Sequence, residues 1–512
     1  MSKKTVSLFI LILILGILPR VWNFGYIPAG LHQDEAANGV DAYDVLTYRM
    51  DRTGIVLPVQ FISWGSGQSA LYAYTALPFI RIWGLTQITI RLPNLLAGIC
   101  MMPLLFLAGR KIMNTKFGLI SMFIGAISPW NVMGSRWGLE AYFVPFLFLA
   151  GFTCYLYSEK NNYWFVIGSI LLSACLYAYS TAFATVPIFM VFSILILWRM
   201  KKIGWRGLIL GVVVFGVLSL PILLFILVNS FDLEPIRFLK FTIPRLPTDP
   251  RYKTTVSIFQ SDVLGGMLVN IKTMLTLLWT QKDGLIWNSV EPFGFLYPLA
   301  IIPGVLGIVG ILREMKYTRN FNFLFIFSWF IGAIFIGILQ PATIQRLSLL
   351  YLPLTFCIAY FIYMLSYRSD KFYQAAVICY LAGFSLFIHQ YFSSAYQSQL
   401  SQSVSYDILS AVQFSAQYPE YRVCISDRVH EANIYVLFVE KPMPSSYLKK
   451  SGYLDSDTPF EMPGPMNRYR MNPADCASEQ KAILILTAGE QSASNYSGEI
   501  HKFGDLDVIV SK

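Results

Sequence analysis

Apolar stretches of about 20 residues recur along the chain and form the dominant pattern of its sequence. A helix of that length crosses the hydrocarbon core of a bilayer. The first stretch follows Lys3 and Lys4, and no small-residue cleavage site comes after it, so it is predicted to be an uncleaved span rather than a signal peptide. Eleven stretches predict spans: Val6–Trp22, Thr89–Leu107, Phe117–Met133, Leu139–Tyr157, Tyr163–Tyr179, Phe183–Trp198, Gly207–Val228, Phe293–Leu312, Phe321–Leu339, Leu347–Leu365 and Phe372–Phe392.

The short connections between these stretches alternate in charge. If the N-terminus is cytoplasmic, every predicted inner connection contains lysine or arginine, as the positive-inside rule requires. These residues are Arg110, Lys111 and Lys116; Lys160; Arg199, Lys201, Lys202 and Arg206; Arg313, Lys316 and Arg319; and Arg368 and Lys371. Most outer connections are nearly uncharged, and Arg136 with Glu140 is the exception. Because an error of one span would invert every later loop, this agreement supports eleven spans and a C-terminus outside the cell membrane.

Three segments are then extracytoplasmic: the loops 23–88 and 229–292, and the tail 393–512. The pattern predicts a transmembrane domain over 1–392 and a small α/β domain over 393–512. In the tail, buried-strand patterns run over Tyr421–Asp427 and Lys481–Thr487, and helical spacing runs over Val404–Gln417. Cys424 and Cys476 are the two cysteines outside the predicted spans, so they either pair in an oxidising compartment or remain buried thiols.

Composition agrees with a membrane protein. The chain is 55% hydrophobic and 13% charged, with a mean hydropathy of +0.54, whereas a soluble domain needs about a quarter of its residues charged. The net charge of +10 is spread over short runs, so it does not form the basic face of a nucleic-acid-binding protein.

The sequence shows no nucleotide-binding motif, since a Walker loop and a Gly-x-Gly-x-x-Gly turn after a strand are both absent. Cytoplasmic use of a nucleotide sugar is therefore unsupported. The histidines show no zinc spacing; they are His32, His389, His430 and His501. No cofactor is predicted with certainty, and a divalent cation held by His32, Asp34 and Glu35 is left open.

The first outer loop contains an adjacent pair of carboxylates, Asp34 and Glu35, shortly after the first span. Charge this close to hydrocarbon is costly and is usually retained for a function. A carboxylate here suits the activation of a sugar hydroxyl, which needs a base to take its proton. The alternative is structural, with Asp34 as the N-cap of a following helix and Glu35 in its first turn. Amphipathic spacing predicts surface helices over Asp34–Tyr48 and Ala70–Leu85.

Three segments of the chain resemble the bacterial family 39 glycosyltransferases, relatives of the protein O-mannosyltransferases and of the aminoarabinose transferase acting on lipid A. The first begins LHQDEAANGVDAYDVL and continues through GIVLPVQFISWGSGQSALYAYTALPFIRIWGL to IRLPNLLAG. The second is SPWNVMGSRWGLEAYFVPFLFLAG, at 128–151, and the third is QPATIQRLSLLYLPL, at 340–354. The Asp-Glu pair in combination with the Arg-Leu-Pro motif carries most of the resemblance.

The resemblance implies a GT-C fold with two surface helices in the first outer loop and a catalytic aspartate at its start, which corresponds to Asp34. It also implies a polyprenyl-phosphate sugar donor, transfer of a hexose or pentose, and inversion at the anomeric carbon. The chain departs from the family at 48–52, where relatives have a Gly-Lys/Arg-Asp turn, and at 68–70, where many have Lys-Pro-Pro. These departures leave the acceptor and some donor contacts open.

A phosphate leaving group requires fixed cations, and arginine matches phosphate oxygens best. Arg91, Arg136 and Arg346 lie at predicted outer ends of spans and are candidates for binding the donor phosphate. Their alternatives are a structural partner of the first loop for Arg91, an ion pair with Glu140 for Arg136, and snorkelling to headgroups for Arg346. The catalytic candidates are Asp34 and Glu35, and the substrate-binding candidates are His32, Glu140, Gln68 and Tyr72.

Two other functions share the many-span layout. A flippase or transporter of a lipid-linked sugar would place polar residues near the bilayer midplane in repeated halves, but here charges gather at the predicted outer edge. A polymerase or ligase of surface polysaccharide would differ in needing a diphosphate-linked donor. The acceptor is left open among protein, lipid and glycan, and membrane lipids are the remaining predicted partners.

Overall fold

The structure is a computed structural model, and it describes residues 2–63, 66–159, 161–247, 250–404, 406–429, 431–451, 467–490 and 498–511. Lys160, a predicted inner cation, and His430 lie outside the described residues.

The first ten helices contain most of the apolar sequence of the N-terminal half. They are α1 Lys3–Val21, α2 Gln33–Tyr48, α3 Leu71–Trp83, α4 Gln87–Ile112, α5 Thr115–Ile127, α6 Pro129–Gly134, α7 Glu140–Tyr157, α8 Asn162–Ala178, α9 Ala182–Arg199 and α10 Trp205–Ser230.

The remaining helices include five consecutive long helices, α12 to α16, with shorter helices before and after them. They are α11 Arg251–Thr255, α12 Val263–Thr280, α13 Ile301–Thr318, α14 Phe323–Leu339, α15 Tyr351–Arg368, α16 Asp370–Tyr391, α17 Ser394–Ser403, α18 Tyr406–Ser415, α19 Ala432–Glu440 and α20 Pro444–Ser451.

The strands are short. They are β1 Gln60–Ser63, β2 Ser66–Ser69, β3 Ile236–Phe238, β4 Phe241–Ile243, β5 Arg422–Ile425, β6 Tyr469–Arg470, β7 Ala482–Thr487, β8 Gly498–Phe503 and β9 Leu506–Ser511. Strands β1 and β2 form one antiparallel pair, and β3 and β4 form another.

Every predicted span overlaps a helix, and the chain is an integral membrane protein. Among the described residues, eight helices are long and apolar enough to cross a bilayer: α1, α4, α7, α9, α10, α12, α15 with the 3-10 turn before it, and α16. Helices α5, α8 and α14 are apolar but shorter. The number of spans and the orientation of the termini stay predictions.

Helix α12 is an apolar helix that the sequence analysis missed. The pattern placed 263–280 inside the outer loop 229–292, but the structure has an 18-residue helix there with the length and hydropathy of a span. Its apolar run is interrupted by a Gly-Gly pair, Asn270 and Lys272, which hid the helix in the sequence.

Two predicted spans are shorter in the structure than the sequence pattern indicates. Helix α5 ends at Ile127 because Pro129 disfavours helical conformation at Ser128, which is extended with ψ of 125°. The prediction of one helix through Met133 is therefore wrong, and a separate short helix, α6, follows. The predicted span from Phe293 likewise begins only at Ile301, since 293–300 forms turns.

The chain divides into two compact units. The first contains 1–24, 93–223 and 251–393. Glycines let its helices approach closely: a Cβ on Gly168 would lie 2.5 Å from the Tyr155 ring, and a Cβ on Gly307 would lie 1.9 Å from the carbonyl oxygen of Cys357. Small residues at helix contacts are typical of membrane proteins, where close packing replaces the hydrophobic effect.

The second unit contains 25–92, 224–250 and 394–512, so it unites both predicted outer loops in part with the tail. The tail holds a five-stranded sheet of order β6-β5-β7-β9-β8, in which β5 is parallel to β6 and β7, and β9 is antiparallel to β7 and β8. This confirms the predicted small α/β region. The predicted boundary at 392/393 stays a prediction, because contacts group the first loop with the tail.

Cys424 and Cys476 form a disulfide in the core of this sheet, packed with Leu484, Leu486 and Ile509. The bond closes a sequence separation of 52 residues. By the chain-entropy model, a loop of this size stabilises the folded state by roughly 4 kcal/mol.

We expect five cysteines to be alkylated in denatured, unreduced protein and seven after reduction, because the chain has seven cysteines of which five are free. Mass spectrometry of the alkylated protein measures this count. Seven modified cysteines without reductant would contradict the disulfide.

Candidate active site

Helix α2 begins with a capping box that fixes the orientation of the carboxylate pair. His32 is the N-cap, and its Nδ1 accepts a hydrogen bond from the backbone N–H of Asp34 at 3.1 Å. The Glu35 carboxylate accepts from the backbone N–H of His32 at 3.0 Å, which completes the box. The expectation that Asp34 is the N-cap is therefore wrong, since a histidine two residues earlier fills that position. Glu35 lies in the first turn, as expected.

Glu35 forms a bidentate ion pair with Arg91. Arg91 Nε and one terminal nitrogen each lie 2.8 Å from a Glu35 oxygen, and both side chains are fully buried. Arg91 also donates to the backbone carbonyls of Gly25, Pro28 and Gly30. This geometry favours the alternative in which Arg91 is a structural partner of the first loop. It also leaves Glu35 with no surface that a substrate can reach in this conformation.

Asp34 has the opposite environment. Its side chain is 34% exposed, and its carboxylate lies 3.7 Å from Nδ1 of His32. Since Nδ1 accepts a hydrogen bond from the chain, it carries no proton in this arrangement. Asp34 lies in the first turn of α2, where a carboxylate complements the helix dipole. Of the two adjacent carboxylates, Asp34 is the one that a substrate can reach.

Gln68 and Tyr72, the other substrate-binding candidates of this unit, are buried. The Tyr72 hydroxyl donates to the Ile90 carbonyl at 2.6 Å, so it joins α3 to the start of α4. Gln68 lies on β2 opposite Phe61, and neither polar atom of its side chain has a hydrogen-bond partner among the described residues. A role for either residue in substrate binding stays a prediction.

A second cluster of buried charged side chains lies further along the chain, in α2 and just after it. Sequence reasoning missed this cluster. Arg52 donates to Asp41 at 2.8 Å, and Asp44 and Asp51 lie near enough for their charges to interact. Burial, followed by the charge of Asp41, raises the pKa of Asp44 to about 8, so Asp44 holds its proton at neutral pH. Burial also raises the pKa of Asp51. The available signal was the density of charged residues over 41–52.

Arg136 belongs to the first unit, where its side chain caps the C-terminal end of α1. Its two terminal nitrogens donate to the carbonyls of Pro19, Arg20 and Trp22 at 2.6–2.8 Å and to that of Asn23 at 3.3 Å. The side chain is fully buried, and its guanidinium lies 5.1 Å from the ring centroid of Phe392. These contacts satisfy carbonyls that a helix end leaves unpaired.

Arg346 lies in the turn before α15. One terminal nitrogen donates to the Pro341 carbonyl at 3.1 Å, and the side chain is partly exposed. The turn is held by Asp283, which accepts from the Ile344 backbone N–H at 2.9 Å and from the Asn288 amide at 2.7 Å. Asp283 and Asn288 were not predicted, because polar residues in the loop 229–292 carried no motif.

Glu140 is the first residue of α7, where a negative charge complements the helix N-terminus. Two residues later, the Tyr142 hydroxyl donates to Asn288 at 2.9 Å. Glu140 stays a candidate for substrate binding.

Among the described residues, no group of three or more histidine, cysteine, aspartate or glutamate side chains is arranged to hold a metal ion. The cation considered for His32, Asp34 and Glu35 would lack Glu35, which is directed at Arg91.

A protein-family model matches part of the chain. The sequence model of the dolichyl-phosphate-mannose-protein mannosyltransferase family matches residues 68–225. Among curated proteins, none matches the chain.

Solved structures show the same fold at low sequence identity. The structure of ArnT from Cupriavidus metallidurans bound to undecaprenyl phosphate has a TM-score of 0.57 and 12% identity, and the match covers 100% of this chain and 98% of that one. The oligosaccharyltransferase of Archaeoglobus fulgidus in its apo form has a TM-score of 0.53 and 12% identity, with 94% of this chain and 69% of that chain covered. AglB from the same archaeon, in complex with an inhibitory peptide and a dolichol-phosphate, has a TM-score of 0.52 and 11% identity, with 95% and 69% covered.

The solved structures show that the chain has the GT-C fold. The family model that matches residues 68–225 supports glycosyltransferase activity. In the glycosyltransferase, the matched residues 68–225 include Arg91, whose ion pair fixes the entry to α2 and thereby the position of Asp34.

We expect Glu35→Gln to destabilise the glycosyltransferase by about 3–5 kcal/mol, because it leaves Arg91 buried without its counter-charge. Thermal unfolding in detergent measures the change, with size-exclusion chromatography as the readout. Asp34→Asn is the matched control, since Asp34 is partly exposed, and should unfold near the wild-type temperature. The double variant Glu35→Gln/Arg91→Met should recover part of the loss. A wild-type unfolding temperature for Glu35→Gln would show that the ion pair does not stabilise the loop.

Proposed function

We propose that this glycosyltransferase moves a sugar from a polyprenyl-phosphate carrier to a hydroxyl-bearing acceptor on the extracytoplasmic face of the cell membrane, with inversion and with Asp34 as the base. One observation carries the proposal. Of the adjacent carboxylates at the start of α2, Glu35 is buried in its ion pair with Arg91, whereas the Asp34 side chain is partly exposed.

The donor class is supported by the similar proteins. ArnT of Cupriavidus metallidurans is bound to undecaprenyl phosphate, and AglB of Archaeoglobus fulgidus is bound to a dolichol-phosphate. The matched family is named for dolichyl-phosphate-mannose. All three names share a long isoprenoid attached to phosphate, and a chain with many apolar helices offers a membrane environment for such a lipid.

The proposed chemistry is a single displacement. The acceptor oxygen attacks the anomeric carbon from the face opposite the phosphate, while Asp34 takes the hydroxyl proton. The bond between the anomeric carbon and the phosphate oxygen breaks, and its electron pair leaves with the phosphate. One displacement inverts the anomeric carbon, and no covalent enzyme intermediate forms.

The leaving phosphate needs a cation, and Arg346 has the most suitable environment among the three predicted arginines. Arg91 and Arg136 are fully buried and donate to chain atoms, whereas Arg346 is partly exposed with one hydrogen bond to Pro341. Its position just before α15 is fixed by the contacts of Asp283. We therefore assign the donor phosphate to Arg346 and a structural role to Arg91 and Arg136.

The disulfide supports the predicted location of the C-terminal tail. Disulfides persist in oxidising compartments outside the cytosol, and Cys424–Cys476 lies in the same unit as Asp34. We propose that this unit faces the extracytoplasmic side and that the N-terminus is cytoplasmic.

We expect Asp34→Asn to reduce release of sugar from lipid by about 10²–10⁴-fold, the usual contribution of a general base. The assay uses purified protein in detergent and lipid with radiolabelled undecaprenyl-phosphate and dolichyl-phosphate sugars and measures the sugar released. Asp475→Asn, at an exposed site of the same unit, is the control and should match the wild type. Full activity of Asp34→Asn would overturn the assignment of the base.

We expect Arg346→Ala to lower kcat/KM for the donor by about 10- to 100-fold, because a charge-assisted hydrogen bond contributes about 1.5–3 kcal/mol. Arg346→Lys should recover part of this activity, since lysine keeps the charge without the planar fork. Arg368→Ala, at the exposed opposite end of α15, serves as the matched control. If Arg346→Ala and Arg368→Ala release sugar at the same rate, Arg346 does not bind the phosphate.

A further inference from the structure

The hairpin of β3 and β4 follows α10 closely in the chain and is fixed at its base. The Thr242 backbone N–H donates to the Leu57 carbonyl at 3.2 Å, and the Thr242 carbonyl accepts from the Val59 N–H at 3.0 Å. Asn229, in the last turn of α10, donates to the Pro244 carbonyl at 3.0 Å. The base of the hairpin is therefore held by both the first loop and the end of α10.

One face of this hairpin is apolar from its base to its tip. Ile236 pairs with Ile243, and Phe238 pairs with Phe241. Because alternate residues of a strand share a face, these four side chains lie on the same side of the hairpin. Ile243 is buried, but Phe238 is 60% exposed and Phe241 is 47% exposed. The apolar face thus begins in the core and ends in an exposed aromatic pair.

The turn between the strands continues this apolar surface. Leu239 is 86% exposed, and its backbone is left-handed, with φ of 54°. Glycine and asparagine are the usual residues in such a turn, because a side chain that branches close to the backbone is strained there. An exposed leucine in this conformation gains nothing from contact with water. Backbone strain kept at one position indicates a function for the side chain that causes it.

The apolar surface extends from the hairpin back to α10. Phe231 and Leu233, which connect the helix to the hairpin, are exposed, and so is Leu227 in the last turns of α10. Helix α10 is long and apolar enough to cross a bilayer, so exposed leucines on it are suited to lipid. Exposed apolar residues therefore continue from a candidate span through the connection to the hairpin tip.

Basic side chains flank the apolar tip. Arg237 precedes Phe238 and lies on the opposite face, Lys240 lies in the turn, and both are exposed. Apolar residues together with lysine or arginine are typical of segments that lie in the interfacial region of a bilayer. There the apolar groups enter the upper acyl chains, and the long basic side chains extend to the lipid phosphates.

We propose that the hairpin tip, residues 238–241, inserts into the interfacial region of the leaflet at which α10 ends, with Arg237 and Lys240 on anionic lipid headgroups. The tip is three residues beyond the Ile236–Ile243 pair, which gives a reach of about 10 Å. This matches the roughly 5–10 Å to which interfacial segments are buried. Since the base of the hairpin is bonded to Leu57 and Val59, insertion fixes the depth of the first loop relative to the bilayer. The proposal does not depend on which residue is the base for sugar transfer.

The first test measures the depth of the tip in proteoliposomes of phosphatidylcholine and phosphatidylglycerol. Leu239→Cys carries a nitroxide spin label in a protein in which the exposed Cys100 and Cys379 are replaced by alanine; the other free cysteines are buried. Glu420→Cys, at an exposed site of the same unit, is the control. We expect a several-fold higher ratio of oxygen to water-soluble nickel-chelate accessibility at 239 than at 420, because oxygen concentrates in lipid. Equal ratios at the two sites would overturn the proposal.

The second test removes the basic pair. With the label at 239, we expect Arg237→Gln/Lys240→Gln to increase nickel-chelate accessibility in vesicles that contain phosphatidylglycerol, because the attraction to anionic headgroups is lost. Lys481→Gln/Lys502→Gln removes the same charge from exposed sites of the same unit and should leave the label at its wild-type depth. If both double variants leave the label at the wild-type depth, anionic lipid does not hold the tip.

The third test identifies the molecule that contacts the tip in native membranes. A photoreactive diazirine analogue of leucine is placed at position 239, and the cross-linked products are analysed by mass spectrometry. Adducts with phospholipid, absent when the analogue is placed at position 420, support the proposal. Adducts at 239 with a second copy of this chain or with another protein, in place of lipid, would show that the apolar tip is a protein interface and would overturn it.

Discussion

The buried ion pair between Arg91 and Glu35 is the constraint on which the candidate active site depends. Two adjacent carboxylates cannot both be buried in an apolar environment without compensation, since an isolated buried charge is very costly. Arg91 compensates one of them bidentately and, with its remaining donors, holds the carbonyls of the segment before α2. Glu35 also caps the helix through the backbone of His32. The result is a rigid entry to α2 that leaves Asp34 at the surface.

The same physical rule organises two other buried arginines, Arg52 and Arg136. Arg52 is neutralised by Asp41, and Arg136 is satisfied by the carbonyls at the end of α1. In each case the cation is held by acceptors of the chain, which is the condition for burying a charge. An arginine so engaged has few donors left for a phosphate. Partial exposure of Arg346 therefore distinguishes it from arginines that look equivalent in the sequence.

The C-terminal tail has a closer relation to the catalytic region than its distance in sequence suggests. Residues 25–92 and 394–512 belong to one compact unit, and Tyr435 and Tyr447 donate to carbonyls of the first loop, those of Leu31 and Arg52. A segment whose core is closed by the Cys424–Cys476 disulfide therefore supports the position of Asp34.

The sequence by itself determined the membrane class, the helices that overlap the predicted spans, the small C-terminal sheet and the prominence of the Asp-Glu pair, because hydropathy and strand patterns are local properties. It missed α12, whose apolar run is interrupted by Asn270 and Lys272, and it extended a span past Pro129. Only the tertiary structure separated the roles of Asp34 and Glu35, since burial and the partner of each carboxylate depend on residues far along the chain. Tyr435 is some 400 residues from Leu31, and no local pattern encodes their hydrogen bond; it exists because α19 packs against α2.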